Sequence, residues 1–259
     1  MNLGLRGRKA IICGSSAGLG RACAEALAAE GVDVVINGRD GARVREAVDA
    51  INALGDGRAS GVVNDNSTAE GRDALLEACP RPDILVNNSG GPSPRLFEHI
   101  EEDAWLPAIT QAMISPLLLT QRVLPSMKAQ HFGRIINITS AMVTTPRYHM
   151  VLSAAPRAGL TAAMKAISRE VARFNVTINN LLPERIDTYR QHFMAVKTAE
   201  RDSITYEQAR EAQIRSIAAG RLGRPEELGA ACAFFCSDNA GYISGQNLNL
   251  DGGSYPALV

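Results

Sequence analysis

The chain has 259 residues, 46% of them apolar and 21% charged, with 27 basic side chains against 27 acidic ones. A chain of this size builds a sizeable core without disulfide or metal staples, and its composition excludes disordered, collagen-like and disulfide-scaffold classes. The balanced charge argues against a nucleic-acid partner, and no apolar run approaches the roughly 18 residues of a membrane-crossing helix.

The N-terminus carries no export-type apolar segment, so the expectation is a cytoplasmic protein without a membrane partner. Five cysteines, Cys13, Cys23, Cys79, Cys232 and Cys236, form no metal-ligand spacing. They read as reduced core residues, and no metal site is expected.

In chain order, Lys9–Cys13 reads as a first buried strand and Ala22–Ala29 as a helix with apolar residues at helical spacing. Between them lies Gly14-Ser15-Ser16-Ala17-Gly18-Leu19-Gly20. In such a loop Gly14 permits the tight turn, Gly18 lets the backbone approach a pyrophosphate, and Gly20 lets helix and strand pack closely. The helix start offers free N–H groups and the positive end of its dipole. The second strand, Val32–Asn37, ends in Asn37-Gly38-Arg39. A site for NAD(H) places an acid there for the ribose 2′-OH. Asn37 stands in that place, and Arg39 can pair with a 2′-phosphate, which favours NADP(H) with NAD(H) second.

Further along, Ala42–Leu54 is helical, and Ala59–Val63 and Ile84–Asn87 are strands. Asp103–His131 and Ser153–Phe174 are long helical stretches, apolar on more than one face, which implies burial on two sides. Arg134–Thr139, Thr177–Leu182 and Asn247–Leu250 complete seven strands. The segment Asp187–Tyr206 is polar without a clear period and follows a strand end, so it reads as a mobile lid loop over residues 187–206. Strands alternating with helices over residues 1–259 predict a single α/β domain. Its architecture is a doubly wound, Rossmann-type parallel seven-stranded sheet with helices on both faces.

The ordered motifs Gly14/Gly18/Gly20, Asp65-Asn66, Asn87-Asn88-Ser89-Gly90, Ile138-Thr139-Ser140, Arg221 to Glu227 and Ile243-Ser244-Gly245-Gln246 with Asp251-Gly252-Gly253 resemble those of the short-chain dehydrogenase/reductase family. Its 3-oxoacyl-carrier-protein reductase-like branch is the nearest label. The resemblance implies that Ser15, Ser16 and Leu19 join the glycines around the cofactor. Asp65 and Asn66 would flank the adenine, while Asn87, Ser89 and Gly90 would line the adenosine and ribose side. Pro183 opens the strand-six turn, in which Ile186 and Thr188 fit the carboxamide-binding stretch.

The family's chemistry uses Asn, Ser, Tyr and Lys. Ser140 matches the serine. Ala112 aligns with the asparagine, Ser153 with the tyrosine and Arg157 with the lysine, and Glu184 stands where glycine is usual. A serine hydroxyl is a far poorer acid than a phenol, and arginine stays protonated, so it can hold ribose but not relay a proton. Tyr148, or His149 beside it, is the candidate replacement donor. These replacements leave two functions open: NADP(H)-dependent hydride transfer on a small carbonyl or secondary alcohol with divergent catalytic residues Ser140, Ser153, Arg157 and Tyr148, or a cofactor-binding sensor with weak or no turnover. By the same resemblance, the two long helices would pair into an interface between subunits and give a homo-oligomer, dimer or tetramer, although their apolar faces fit burial within one subunit equally.

Overall fold

A computed structural model describes residues 1–258. The elements in chain order are β1 (Lys9–Ile12), α1 (Gly18–Ala29), β2 (Asp33–Gly38), α2 (Gly41–Leu54), β3 (Ala59–Val63), α3 (Ala69–Ala78), β4 (Ile84–Asn87), α4 (Trp105–Ile109), α5 (Ser115–Ala129), β5 (Gly133–Ile138), α6 (Val151–Val171), β6 (Val176–Pro183), α7 (Tyr189–Asp202), α8 (Tyr206–Arg215), α9 (Pro225–Cys236) and β7 (Asn247–Leu250). All seven strands pair in parallel, in the order β3-β2-β1-β4-β5-β6-β7. The order reverses between β1 and β4. In doubly wound sheets the ligand crevice opens outside the carboxyl ends of the strands at that point.

Strand periodicity divides the core in two. Ala10 and Ile12 of β1 face one side with Cys23, Leu27, Val44, Ile51 and Leu228, from α1, α2 and α9. Ile11 faces the other with Leu75, Leu119, Val123, Leu160 and Met164, from α3, α5 and α6. All five cysteines are buried and unpaired.

Four neighbouring strands are also joined by asparagines in register. Asn87 pairs with Asn137, Asn137 with Asn180, and Asn180 with Asn247. Asn87 Nδ2 donates to Asn137 Oδ1 at 2.9 Å, Asn137 Nδ2 to Asn180 Oδ1 at 2.9 Å, and Asn180 Nδ2 to Asn247 Oδ1 at 2.8 Å. This ladder fixes the strands that carry the candidate site at their ends.

Two segments differ from the sequence reading. The single helix expected over Asp103–His131 is divided: α4 and α5 flank a π-helical turn at Thr110–Ile114. Pro116 explains this. It has no N–H for the carbonyl of Ala112, and its ring clashes with that carbonyl, so a regular α-turn cannot pass. The second difference is Asp187–Tyr206, which is mostly the helix α7 and not a loop. Its sequence is rich in good helix formers, but only Ala195 is buried, so the apolar signature of a packed face is weak.

Candidate active site

The glycine loop crosses from β1 to α1 with Gly14 at φ 56° and Gly18 at φ 58°, the left-handed region that side chains avoid. A Cβ on Gly20 would collide with the Gly14 carbonyl, so helix and turn touch there. A Cβ on Gly18 would meet nothing closer than Thr188 Cγ2 at 3.9 Å. The space over Gly18 is therefore open and bounded by the strand-six turn. No side chain caps α1, so its first-turn amides keep their capacity for a ligand. The arrangement fits a pyrophosphate.

The loop is braced from beneath. Ser15 is fully buried, accepts the Asn37 amide at 2.9 Å and donates to the Ile12 carbonyl at 2.6 Å. Asn37 Oδ1 accepts the Gly14 amide at 3.2 Å, and its Nδ2 donates to Asn64 Oδ1 at 2.7 Å. Asn37 is thus engaged within the loop, where an NAD-type acid would face the ribose. Asn88 Nδ2 donates to the Gly14 carbonyl at 2.9 Å and ties β4 to the turn. Leu19 packs on the core beneath, while Ser16 lies against Gly38.

At the adenosine end, Arg39 is exposed and sits 3.8 Å from Asp65. Burial pushes the Asp65 carboxyl up, but the Ser67 amide and hydroxyl and the Arg39 charge outweigh it and leave it below its ordinary value. Arg39 and Asp65 border a cleft of about 510 Å³ that continues past Pro92, Ser93 and Arg95 to Leu152. The Asn66 carbonyl accepts from Ser115 and the Arg72 guanidinium. The Asn87 side chain points into the sheet, with Oδ1 buried and unpartnered among the described residues.

At the other end of the crevice Ser153 and Arg157 lie one turn apart on α6, both buried. Arg157 donates Nη1 to Ser153 Oγ at 3.1 Å, Nε to the Thr139 carbonyl at 3.1 Å and Nη2 to the Ser89 carbonyl at 3.4 Å. Burial, with Arg190 second, pushes its guanidinium down to about 10. Arg157 thereby joins the ends of β4, β5 and α6. Ser140 follows β5, and its Oγ accepts the Met142 amide at 3.2 Å. Ala112 is buried in the π-helical turn. Gly90 has nothing near it that a Cβ would meet.

Pro183 ends β6, Ile186 is buried and bridges Gly223, and Thr188 faces Gly18. Glu184 is held by Arg147 at 3.1 Å and Arg185 at 3.5 Å. Tyr148 makes no hydrogen bond to Ser153 or Arg157 among the described residues. It is 60% exposed, and its hydroxyl donates to Glu98 at 2.8 Å. That carboxylate pushes the phenol above its usual value. His149 is pushed below its usual value by burial first, then by Arg147, Arg201 and Arg185.

The sequence reading did not single out Arg190, at the start of α7, whose Nη1 donates to the Gly91 carbonyl at 3.2 Å and Nη2 to that of Pro92 at 2.6 Å. It also missed the bracing role of Asn37. Nothing in local sequence signals Arg190, because its place depends on α7 folding back over the loop after β4.

Comparison with known proteins identifies relatives along nearly the whole chain. A family model described as Enoyl-(Acyl carrier protein) reductase matches residues 14–255. The 3-oxoacyl-[acyl-carrier-protein] reductase of Vibrio cholerae is 32% identical over 253 residues, covering 98% of this chain and 99% of its own. The NADPH-dependent reductase BacG of Bacillus subtilis is 32% identical over 256 residues, covering 97% of this chain and 99% of its own. L-Sorbose reductase from Gluconobacter frateurii, solved with NADPH and L-sorbose, superimposes with a TM-score of 0.94 at 28% identity over 100% of both chains. With a family model matching residues 14–255 and a relative 32% identical over 98% of its length, the chain belongs to the short-chain dehydrogenase/reductase family, among homologues of 3-oxoacyl-carrier-protein reductase.

Proposed function

We propose that this protein is an NADP(H)-dependent oxidoreductase acting on a carbonyl or secondary alcohol. The observation that carries the reading is the uncapped start of α1 over an open Gly18, with Arg39 exposed beside Asp65 at the end of β2. Bound NADP(H) would supply or accept the hydride. Ser16, Gly18 and Leu19 would hold the pyrophosphate through backbone amides above the turn that Gly14 makes, with Thr188 opposite. Arg39 would take the 2′-phosphate, and Asp65 and Asn66 would border the adenine. Ser89, Gly90, Pro183 and Ile186 would border the ribose and nicotinamide. Ser140 would hydrogen-bond the substrate oxygen, Arg157 would fix the surrounding strand ends, and α7 would act as the lid.

Relatives that use NADPH, BacG and L-sorbose reductase among them, support the choice of cofactor. The sensor reading is favoured by one feature, the engagement of Tyr148 with Glu98 away from Ser153. The two readings separate by titrating NADPH fluorescence and then assaying carbonyl-dependent NADPH oxidation over a panel of ketones and oxo-acids. Binding with turnover supports the oxidoreductase. Binding without turnover on the whole panel supports the sensor, and no binding of either nicotinamide cofactor refutes both.

A further inference from the structure

Three polar groups converge on one point in the loop after β4. Arg157 Nη2, Ser153 Oγ and Arg190 Nη2 lie 3.7, 3.7 and 3.8 Å from where a Cβ on Gly91 would stand. Gly91 has no side chain, so the space just beyond this point, between the three groups, is left unfilled. Each group has donors left for it. Arg157 uses Nε, one Nη1 proton and one Nη2 proton on protein oxygens, and Arg190 uses one proton on each of two nitrogens. A guanidinium carries five N–H groups, so both retain unused ones. Ser153 accepts from Arg157 and keeps its own O–H to donate.

The charge at this point is unbalanced. Arg157 is 6% exposed, yet its partners are two carbonyls and a hydroxyl. Arg190 is held by two carbonyls. Neither forms an ion pair with a carboxylate among the described residues, although the surface arginines nearby do. A buried cation beside a second, partly buried one, with no anion between them, is unfavourable unless something compensates it. The depressed Arg157 guanidinium, lowered first by burial and then by Arg190, reflects the same imbalance.

We propose that Ser153, Arg157 and Arg190 form an anion seat over Gly91 that takes the carboxylate of a small oxo-acid or hydroxy-acid substrate. One carboxylate oxygen sits beyond the missing Cβ, in van der Waals contact with the Gly91 Cα, and accepts from the three groups that surround this space. The second lies along the guanidinium edges, the bidentate geometry that arginine favours. The seat rests on the oxidoreductase reading. It narrows the substrate class and gives the replaced residues, Ser153 and Arg157, a positive use. The cofactor's phosphates are the other source of anionic oxygen. They belong over Gly18 and Thr188, where the α1 amides are free.

The test is calorimetric titration of the NADP+ complex with oxalate, and with the neutral diamide oxamide as control. Oxalate is expected to bind and oxamide not. Arg190→Gln should weaken oxalate about 10–100-fold, the usual range for a hydrogen bond to a charged group, with NADP+ affinity unchanged. Gly91→Ala fills the seat while keeping both cations, and should also weaken oxalate at least about tenfold. Failure of oxalate to bind, oxalate affinity unchanged from the native protein in both variants, or displacement of NADP+ by oxalate would overturn the proposal. Titration with NADP+ alone separates the two readings: a protein that takes oxalate but no NADP+ keeps the seat and loses the oxidoreductase.

Discussion

Asn137→Ala tests whether the asparagine ladder holds the strand ends that carry the site. Asn137 is fully buried between two amide neighbours. Truncation leaves Asn180 Oδ1 without a donor and Asn87 Nδ2 with only a long contact to Thr120 Oγ1 at 3.5 Å. Each stranded group costs about 1–3 kcal/mol, so the pair costs about 2–6 kcal/mol before any cavity is counted. At about 2 °C per kcal/mol for a chain of this size, the apparent Tm should fall by roughly 4–12 °C. Asn247→Ala serves as the internal comparison. Asn247 is exposed at the end of the ladder, where water replaces the lost acceptor, so that variant should lose under about 1 kcal/mol. Differential scanning fluorimetry reads both. A loss below ~2 °C for Asn137→Ala, or equal losses for the two variants, would refute the reasoning.

Other outcomes follow from the same contacts. Arg39→Ala removes the exposed cation at the end of β2, so the Kd for NADPH should rise about 10–100-fold with that for NADH little changed, measured by cofactor fluorescence. A Cβ on Gly18 would strain the backbone at φ 58° and stand in the open space beside Thr188, so Gly18→Ala should weaken both cofactors together in the same titration. Glu227 bonds Arg221 and the Arg224 amide at the start of α9, which lower its carboxyl to about 2. Because the folded-state value is depressed, its stabilisation is present above about pH 4.5 and is lost as pH falls toward 2. The Tm difference between the native protein and Glu227→Gln should therefore shrink over that interval.

How much of this was legible in the sequence depends on whether the signal is local. The strands β1 and β2 show as short apolar runs, residues 10–12 and 34–36, because both faces of the sheet are covered. Gly14 and Gly18 show because their backbone demand is local. Pro116 was visible, but its consequence, a π-helical turn at Thr110–Ile114, was not read from it. The ladder was hidden for another reason. Asn87, Asn137, Asn180 and Asn247 are separated by 43–67 residues, and only strand register shows that they are neighbours. Arg190 lies 33 residues from Arg157 in sequence, and their meeting over Gly91 is a property of the fold alone.

The proton supply is where sequence and structure together make their sharpest claim. Arg157, held near 10, remains charged at neutral pH and cannot relay a proton. His149 is pushed down, first by burial and then by neighbouring arginines, so it is neutral at pH 7 and no ready acid. Tyr148 is pushed up by the Glu98 carboxylate that accepts its hydroxyl, which makes it a weaker acid than a free phenol and keeps it at the surface. None of the three can deliver a proton as a tyrosine beside a lysine does. On the proposed oxidoreductase reading, the hydroxyls of Ser140 and Ser153 would serve as relays for a solvent proton. Carbonyl reduction should therefore show no side-chain inflection in kcat between about pH 7 and 9, and Tyr148→Phe should leave kcat within about twofold. An inflection in that range that disappears in Tyr148→Phe would mean that Tyr148 leaves Glu98 during turnover and serves as the acid.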